Sequence, residues 1–334
     1  MTNATTDLSI RIGGRVVSPA LPIVDGSFPD SEDDARFTKC LRAFSEEHIK
    51  LETLKERQRR ERVLNAMAKM CRSWIEGVCR EKLGLTDMDA IRSAAGNNVM
   101  HTSGSYRLDV QEPGADIDTI CVAPSIVTRE HFFGTVLDPI TGRVSKDPLS
   151  LAERIRAHPD VTNFNAVESA AVPILTFDWE GVNIDLLFAR LATSTVPPEF
   201  DINDDRVLDG VDSATEKSLN GPRVTNLIAK FMSGTPERYQ NFLFVVRCVR
   251  KWAKTRGLYS NKMGYWGGVN INIAVAMVVQ LYPNASPGNL LRKFFLVFKS
   301  WRWPNPVLLC KPHDAGLGLQ VWSAFTNARD ARQV

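Results

Sequence analysis

The sequence has few of the residues that mark secreted, zinc-binding or membrane proteins. Only 6 of its 334 residues are cysteine, and none lies in a Cys-x-x-Cys pair. This argues against a disulfide framework and predicts buried free thiols in a reducing compartment. The 5 histidines are scattered and form no ligand cluster in the sequence. No apolar run reaches the roughly 18 residues of a membrane span, and residues 1–30 lack the apolar core of a signal peptide. We therefore expect no membrane partner.

A strong net charge is also missing. The formal net charge of +3 permits a nucleic-acid partner but does not argue for one. The hydrophobic content of 44% and the charged content of 24% are those of a globular protein. The length of 334 residues favours two domains, and no internal repeat or low-complexity segment is visible.

A short acidic motif downstream of a Gly-Ser pair is the most informative feature that is present. Gly104-Ser105 is followed by Asp116-Ile117-Asp118. Alternate residues of a strand point to the same face, so the two carboxylates would project side by side. Such a pair suits Mg²⁺ or Mn²⁺ shared with substrate phosphates, and the Gly-Ser turn offers amides and a hydroxyl to a polyphosphate. The motif favours metal-assisted nucleotidyl transfer; the alternative is a solvated strand edge.

A third acid interrupts an apolar segment. Asp185 lies within residues 182–188, and Gly181 predicts a hairpin turn from the preceding strand at 171–177. An aspartate among Val, Ile, Leu and Phe is costly to bury unless it binds a metal or a partner. With Asp116 and Asp118 it would complete a two-metal site for phosphoryl transfer. The alternative is a structural acid with a paired neighbour.

The coarse pattern predicts an α/β domain with a mixed sheet, followed by an all-α domain. We expect an extended arm at residues 1–30, a nucleotidyltransferase catalytic domain at 31–219 and a helical central domain at 220–334. Residues 197–220 read as an irregular acidic connection, and the basic run at 55–62 is either a nucleic-acid patch or the solvated face of a helix. The predicted strands are 99–103, 117–122, 171–177 and 182–188. The predicted helices are 236–256, 269–281 and 289–301. Residues 128–157 are predicted to contain one or two further helices and a turn at 138–142.

The second half carries a basic helix and a glycine pair. Its cations are Arg247, Arg250, Lys251, Lys254 and Arg256, with no acid among them. Cations on one face would neutralise the charge of a triphosphate. Downstream, a tyrosine and two glycines that open a helix would allow close approach of a nucleotide. The alternative is an ordinary surface helix and its cap.

In the order of these motifs, the chain resembles the eukaryotic nuclear-type poly(A) polymerases, of the DNA polymerase β-like nucleotidyltransferase superfamily. The resemblance runs from about Phe37 to Val321 and is carried by Gly104-Ser105-Tyr106-Arg107-Leu108, Gly114-Ala115-Asp116-Ile117-Asp118, Ile184-Asp185-Leu186-Leu187-Phe188, Leu219-Asn220-Gly221, Trp252-Ala253-Lys254, Tyr259-Ser260-Asn261, Gly267-Gly268-Val269 and Trp303-Pro304-Asn305-Pro306-Val307.

The resemblance implies a function and a set of site residues. The chain would add AMP from ATP to RNA 3′ ends by a two-metal mechanism with Mg²⁺ or Mn²⁺, in the nucleus, as a monomer that meets mRNA 3′-end processing factors. ATP would lie in a cleft between the domains. The implied catalytic and metal-binding acids are Asp116, Asp118 and Asp185, and the implied ATP contacts are these three with Ser103, Gly104, Ser105, Asn220, Arg250, Tyr259, Gly268 and Val269.

Four departures from the family pattern are visible. Ser103 stands where an aromatic residue usually precedes Gly-Ser. Arg250 stands in place of a triphosphate-contacting lysine, a role that Lys251 and Lys254 could also share, and Asp109 replaces a usual glycine. The family normally continues into an RNA-binding domain that we expect this chain to lack, which would weaken primer binding but leave the chemistry intact.

Two alternatives stay open at this point. The first is another terminal nucleotidyltransferase, such as a uridylyltransferase, which Ser103 would favour. The second is a catalytically silent RNA- or protein-binding homologue.

Overall fold

A computed structural model of the chain describes residues 8–21, 30–137 and 140–319. These residues group into two units. The sheet unit comprises residues 51–107 and 111–224, and the helical unit comprises the described residues of 1–50, 108–110 and 225–334. The predicted order, a mixed α/β sheet domain followed by helices, is confirmed.

The strands are β1 (Ile10–Ile12), β2 (Arg15–Val17), β3 (Met100–Thr102), β4 (Ile117–Ala123), β5 (Thr135–Leu137), β6 (Val144–Lys146), β7 (Val161–Val167), β8 (Ile174–Trp179) and β9 (Val182–Arg190). The helices are α1 (Glu32–His48), α2 (Leu54–Leu83), α3 (Met88–Ala95), α4 (Gly104–Arg107), α5 (Arg129–Phe133), α6 (Leu151–Arg156), α7 (Ser213–Met232), α8 (Pro236–Thr255), α9 (Gly268–Leu281) and α10 (Pro287–Lys299).

The sheet unit is built on five strands in the order β3-β4-β9-β8-β7. The central pair, β4 and β9, is parallel, and the other neighbours are antiparallel. The predicted hairpin between β8 and β9 is present, and Trp179 pairs with Val182 across it. Its two turn residues, Glu180 and Gly181, have φ of 49° and 71°, as a two-residue turn that matches the strand twist requires.

The two faces of this sheet bury different clusters. One face carries alternate residues of β9, such as Ile184 and Leu186, which pack with Trp74 and Ile75 of α2 in the main core. The opposite face carries Ile120 of β4 in a smaller cluster with Ala189, Val196 and Leu219. Because alternate residues of a strand point to opposite faces, the side chains between those of the main core lie on the other face of the sheet.

Helices α8, α9 and α10 form the body of the helical unit. Helix α8 begins at the predicted residue, Pro236, and α10 begins at Pro287, two residues before the predicted start. Each follows an N-cap, Thr235 or Ser286, with proline at the first helical position. Helix α9 is apolar on nearly all sides and is buried over most of its length, as expected for a helix enclosed by others.

Helix α1 groups with the helical unit, whereas the sequence places it in the catalytic domain. Its capping acid Asp34 lies 2.9 Å from Arg292 of α10, and the Thr38 hydroxyl accepts a 3.0 Å bond from the Gly288 amide. The periodicity of an amphipathic helix identifies its buried face but not the partner that covers it. The boundaries 31–219 and 220–334 stay a prediction about independently folding domains.

Several local predictions are wrong. Residues 10–17 of the predicted arm form the β1–β2 hairpin, and residues 213–220 of the predicted connection are the first turns of α7. Strand β7 and the β5–β6 hairpin were not predicted, because their polar and exposed residues give weak strand patterns. Parts of the predicted arm, turn and central domain, at 1–7, 22–29, 138–139 and 320–334, lie outside the described residues.

The cysteines are free thiols, and most of them are buried as predicted. The exceptions are Cys40, which is exposed on α1, and Cys310, which is half-buried.

No helix within the described part of the chain combines the length and the apolar character that crossing a bilayer would require.

Candidate functional site

Two of the three predicted acids are neighbours in the sheet. Asp118 of β4 and Asp185 of β9 occupy paired positions of the parallel ladder. Ile117 and Ile184, one residue earlier on each strand, point into the main core. Both carboxylates therefore lie on the other face of the sheet and are only partly buried. The Thr119 hydroxyl donates a 2.9 Å bond to the Asp185 carbonyl and ties the two strands together at this point.

The third acid, Asp116, lies just before β4 and is exposed. Its charge acts on both neighbours. Burial, and then the charge of Asp116, raise the pKa of Asp118. Burial, followed by the charges of Asp116 and Asp118, raises the pKa of Asp185 to about 6. The three predicted residues thus form one electrostatically coupled group, in which negative charge is costly without a cation.

The Gly-Ser turn lies directly against this group. Gly104 has φ of 63°, and a Cβ on it would overlap the Asp118 carboxylate oxygen. The Ser103 amide donates a 2.9 Å bond to the Asp118 carbonyl. Glycine is required here both by its left-handed backbone and by this close approach. Ser105 follows in the single turn of α4 and is half-buried.

Ser103 is buried, with 6% of its surface exposed. A Cβ on Gly221 of α7 would lie 3.5 Å from its hydroxyl. Ser103 therefore packs against α7 and offers no exposed face for stacking a base. Asn220, the adjacent predicted site residue, is exposed on α7.

The acids fit a hard divalent cation by their chemistry. Carboxylate oxygens are the ligands that Mg²⁺ and Mn²⁺ prefer. Burial, and then the neighbouring acids, raise the pKa values of Asp118 and Asp185, so negative charge is costly here and a cation would offset that cost. Among the described residues, no set of three or more His, Cys, Asp or Glu side chains is arranged as a ready-made cage for one ion. In the usual Mg²⁺ site, one or two carboxylates act together with substrate phosphates and water.

A residue that was not predicted from the sequence, Arg60, holds the backbone next to the acidic motif. Arg60 of α2 is buried and is ion-paired with Glu52. Its guanidinium also donates to the carbonyl of Ala115, the residue before Asp116. Arg60 belongs to the basic run at 55–62, whose composition does not reveal which member points inward.

The predicted residues of the helical unit also lie together. Extending Gly268 by a Cβ would place that atom 3.2 Å from the Arg250 guanidinium and 3.3 Å from the Tyr259 hydroxyl. Val269, the next residue, is 53% exposed. Lys254 lies 5.0 Å from the centre of the Tyr259 ring, a cation–π distance.

Arg250 itself is buried, with 6% of its surface exposed. Its guanidinium donates to the Val110 carbonyl at 2.9 Å and to the Asn272 side-chain oxygen at 3.0 Å. The sequence predicts cations directed at one point on α8, but two of them bind the backbone. Arg247 donates to the Asp109 carbonyl, and its guanidinium lies 3.7 Å from the Asp109 carboxylate.

The segment 108–110 explains the unusual Asp109. The φ of Asp109 is 58°, a left-handed conformation that glycine adopts without strain and that aspartate tolerates. The three carbonyls of the segment each accept a bond from α8, the first from Tyr239 at 3.1 Å and the others from Arg247 and Arg250. The sequence did not predict this contact, because its partners lie more than a hundred positions apart. The only local sign of it was the aspartate at position 109, where the family usually has glycine.

Comparison with known proteins identifies the family to which the chain is similar. The family model for the poly(A) polymerase nucleotidyltransferase domain matches residues 27–231, and the model for the poly(A) polymerase central domain matches residues 241–334. Nuclear poly(A) polymerase 1 of Arabidopsis thaliana is 39% identical over 323 residues, which cover 96% of this chain and 42% of that protein. The poly(A) polymerase of Dictyostelium discoideum is 37% identical over 274 residues, which cover 81% of this chain and 31% of that protein.

The chain thus spans about two fifths or less of the length of these curated relatives. A crystal structure of the Cid1 poly(U) polymerase shares the fold, with a TM-score of 0.50, 13% identity, and coverage of 83% of this chain and 76% of that chain. At that identity the likeness shows the fold alone. A nucleotidyltransferase domain of this kind uses a nucleotide and a divalent metal. On the two family models and the identity to curated relatives, the chain belongs to the poly(A) polymerase family.

Proposed function

We propose that this chain transfers AMP from ATP to the 3′-hydroxyl of RNA, without a template and with release of pyrophosphate. One observation carries the proposal. Asp118 and Asp185 are paired across parallel strands and within reach of the charge of Asp116, and Asp118 lies directly against Gly104. An acidic group pressed against a glycine turn suits a triphosphate held by its metal ions.

In this proposal the three acids of the sheet unit are the catalytic and metal-binding residues. When bound, two Mg²⁺ or Mn²⁺ ions would neutralise the triphosphate and activate the attacking hydroxyl. Asp116 and Asp118 would hold those ions and, through them, the phosphates of ATP. Asp185, whose raised pKa of about 6 reflects its burial and neighbours, would take part in removing the proton from the RNA 3′-hydroxyl.

The remaining residues position ATP. The amide and hydroxyl of Ser105, beside Gly104, would bind the phosphates, and Asn220, exposed on α7, would contact the ribose. Ser103 would not stack on the base. Its backbone amide, which donates a hydrogen bond to the Asp118 carbonyl, would hold the Gly104-Ser105 turn in place.

The helical unit would supply a further set of ATP contacts. Tyr259 would bond a phosphate, and Gly268 and Val269 would lie beside the adenine. Arg250 would contribute its charge from behind Gly268, where its guanidinium is already held by Val110 and Asn272. Lys254, beside the Tyr259 ring, would share in neutralising the triphosphate.

The names of the curated relatives support the proposed biological setting. The curated Arabidopsis thaliana relatives are named nuclear poly(A) polymerases, and we propose a nuclear enzyme that acts as a monomer on RNA presented by mRNA 3′-end processing factors.

Primer extension tests the proposal. The purified chain is incubated with labelled oligo(A) RNA at high concentration, with Mg²⁺ or Mn²⁺, and with each of the four NTPs in turn. We expect a ladder with ATP, which Asp185→Ala abolishes. The matched control is Asp178→Asn, because Asp178 lies on neighbouring β8 and its carboxylate is bound by Asn163 and Asn183 at 2.6 and 2.9 Å.

The other outcomes contradict the proposal in different ways. A ladder with UTP in place of ATP would make the chain a uridylyltransferase. No product with any NTP from a folded protein would make it a silent homologue. Equal loss of product in Asp185→Ala and Asp178→Asn would mean that the acids act through stability rather than chemistry.

A further inference from the structure

The helical unit carries an apolar groove that the proposed chemistry does not use. The groove lies between α8 and α10 and has a volume of about 520 Å³. Trp252 and Phe295 line it, and their rings meet edge to face with centroids 4.9 Å apart. Tyr265 and Lys299 also line it.

Three aromatic side chains that line the groove are exposed. Trp252 and Phe295 are each 39% exposed, and Tyr265 is 47% exposed. Single exposed apolar residues are ordinary, but several that line one cavity mark a binding surface. Aromatic residues in a concave apolar site are also the residues that most often carry interface energy.

The segment of sequence that lines the groove carries charge of one sign. From Arg238 to His313 the sequence contains twelve lysines and arginines and no aspartate or glutamate. This contrasts with the near balance of the whole chain, which has 41 basic and 38 acidic residues. Arg256 follows Trp252 by one helical turn at the end of α8, and Lys299 follows Phe295 by one turn on α10. Both cations are exposed, so the apolar groove has a basic border.

We propose that this groove binds an acidic amphipathic helix from a protein partner. Apolar side chains spaced one helical turn apart would enter the groove between Trp252 and Phe295, and acidic residues on the flanks would pair with the basic border. The occupant is a peptide rather than RNA, because the walls include aliphatic residues such as Val249 and Ile271.

A peptide selection tests the chemistry of the occupant directly. A phage-displayed library of random 16-residue peptides is selected on the full chain and counter-selected on the Phe295→Glu variant. We expect enrichment of sequences with Asp or Glu and with Leu, Phe or Trp at helical spacing. One recovered peptide is then labelled with fluorescein, and its affinity for the chain is measured by anisotropy at two salt concentrations.

Three variants locate the binding surface. Phe295→Glu and Lys299→Glu should each weaken binding at least tenfold, with a smaller effect of Lys299→Glu at high salt. The matched control is Leu296→Glu, because Leu296 is the next residue of α10, is 56% exposed and does not line the groove. It should change the affinity less than twofold. Lys299 is exposed, so its variant also serves if Phe295→Glu fails to fold.

Four results would overturn the proposal. The first is a selection that enriches no acidic helical pattern. The second is equal loss of affinity in Phe295→Glu and Leu296→Glu. The third is displacement of the peptide by oligo(A) RNA that competes for the same residues, which would make the groove an RNA site. The last is concentration-dependent self-association in sedimentation that Phe295→Glu abolishes, which would make a second copy of the chain the occupant.

Discussion

The two units hold their site residues by different means. In the sheet unit, strand register places Asp118 and Asp185 side by side, and each is one residue away from an isoleucine in the main core. In the helical unit, Arg250 is held by Val110 and Asn272, which lie far from it in sequence. Local periodicity therefore determines the first arrangement, and tertiary contacts determine the second.

The difference also concerns charge. The sheet unit concentrates negative charge that burial makes costly, as the raised pKa of Asp185 shows. The helical unit concentrates cations, but two of them, Arg247 and Arg250, donate to backbone carbonyls. Substitutions in the first unit should thus act on chemistry, and substitutions in the second should act on stability as well.

The largest effect is expected at Asp118. Asp118→Asn removes a charge that metal and phosphate would need, a contribution of several kcal/mol to the transition state, so the rate of nucleotide addition should fall by about a thousandfold or more. Single-turnover primer extension measures this rate. A fall of less than tenfold, with Asp178→Asn as the reference, would remove Asp118 from the chemistry.

The next largest effect is expected at Gly104. In Gly104→Ala the new methyl group overlaps the Asp118 carboxylate and displaces it, and a shift of about 1 Å at a catalytic group can cost about a hundredfold in rate. Gly114→Ala is the matched control, because Gly114 also has a left-handed φ, 76°, but a methyl group there would meet no other atom within 4 Å. Primer extension compares the two variants, and comparable rates would show that backbone strain alone matters.

Stability should respond more strongly to Arg250 than to its neighbour. Arg250→Ala leaves two buried acceptors without their donor, which should cost about 2 to 4 kcal/mol of unfolding free energy. Arg250→Lys retains the charge but cannot satisfy both acceptors and should be intermediate. Lys251→Ala, less buried on the same helix, should change stability by about 0.5 kcal/mol or less. Urea unfolding measures all three.

Equal unfolding midpoints for Arg250→Ala and Lys251→Ala, together with weaker ATP binding by Arg250→Ala, would reverse this part of the comparison. Arg250 would then be a ligand contact of the same kind as the acids.

The smallest effect is a pH dependence of stability. The pKa of Asp185 is about 6 in the folded chain, against an ordinary value of 3.8. The folded state therefore binds more protons than the unfolded state between these values, and stability falls as pH rises from about 4 to 6. Since the side chain is only partly buried, the loss should be about 1 kcal/mol.

Thermal unfolding of the wild type and Asp185→Asn across this pH range isolates the contribution. The difference in Tm should grow in favour of Asp185→Asn up to about pH 6 and level off above it. Added Mg²⁺ or Mn²⁺ should stabilise the wild type more than the variant at pH 7.5. A difference that does not change with pH would contradict the assigned titration.

Much of the fold could be predicted from the sequence, for reasons visible in particular segments. The apolar segments at 171–177 and 182–188, with Gly181 between them, predicted the β8–β9 hairpin, and helical periodicity predicted α8 and α10. The partner of α1 could not be predicted, because it depends on contacts such as that between Asp34 and Arg292, 258 positions apart.

The site divides in the same way. The positions of Asp118 and Asp185 follow from strand alternation once their strands are recognised. The supporting roles of Arg60 and Asn272 depend on which surfaces meet in three dimensions. One member of a basic run and one asparagine in an apolar helix give no local signal of such a role.

The hydrogen bonds from α8 to the carbonyls of residues 108–110 limit how this protein can be divided or recombined. The helical unit is completed by three residues that the chain supplies from between Arg107 and Gln111, both in the sheet unit. A gene fragment for residues 225–334 alone would lack the carbonyls that Tyr239, Arg247 and Arg250 bind. No single crossover point therefore transfers the complete helical unit to another protein, and evolution is expected to inherit the two units as one block.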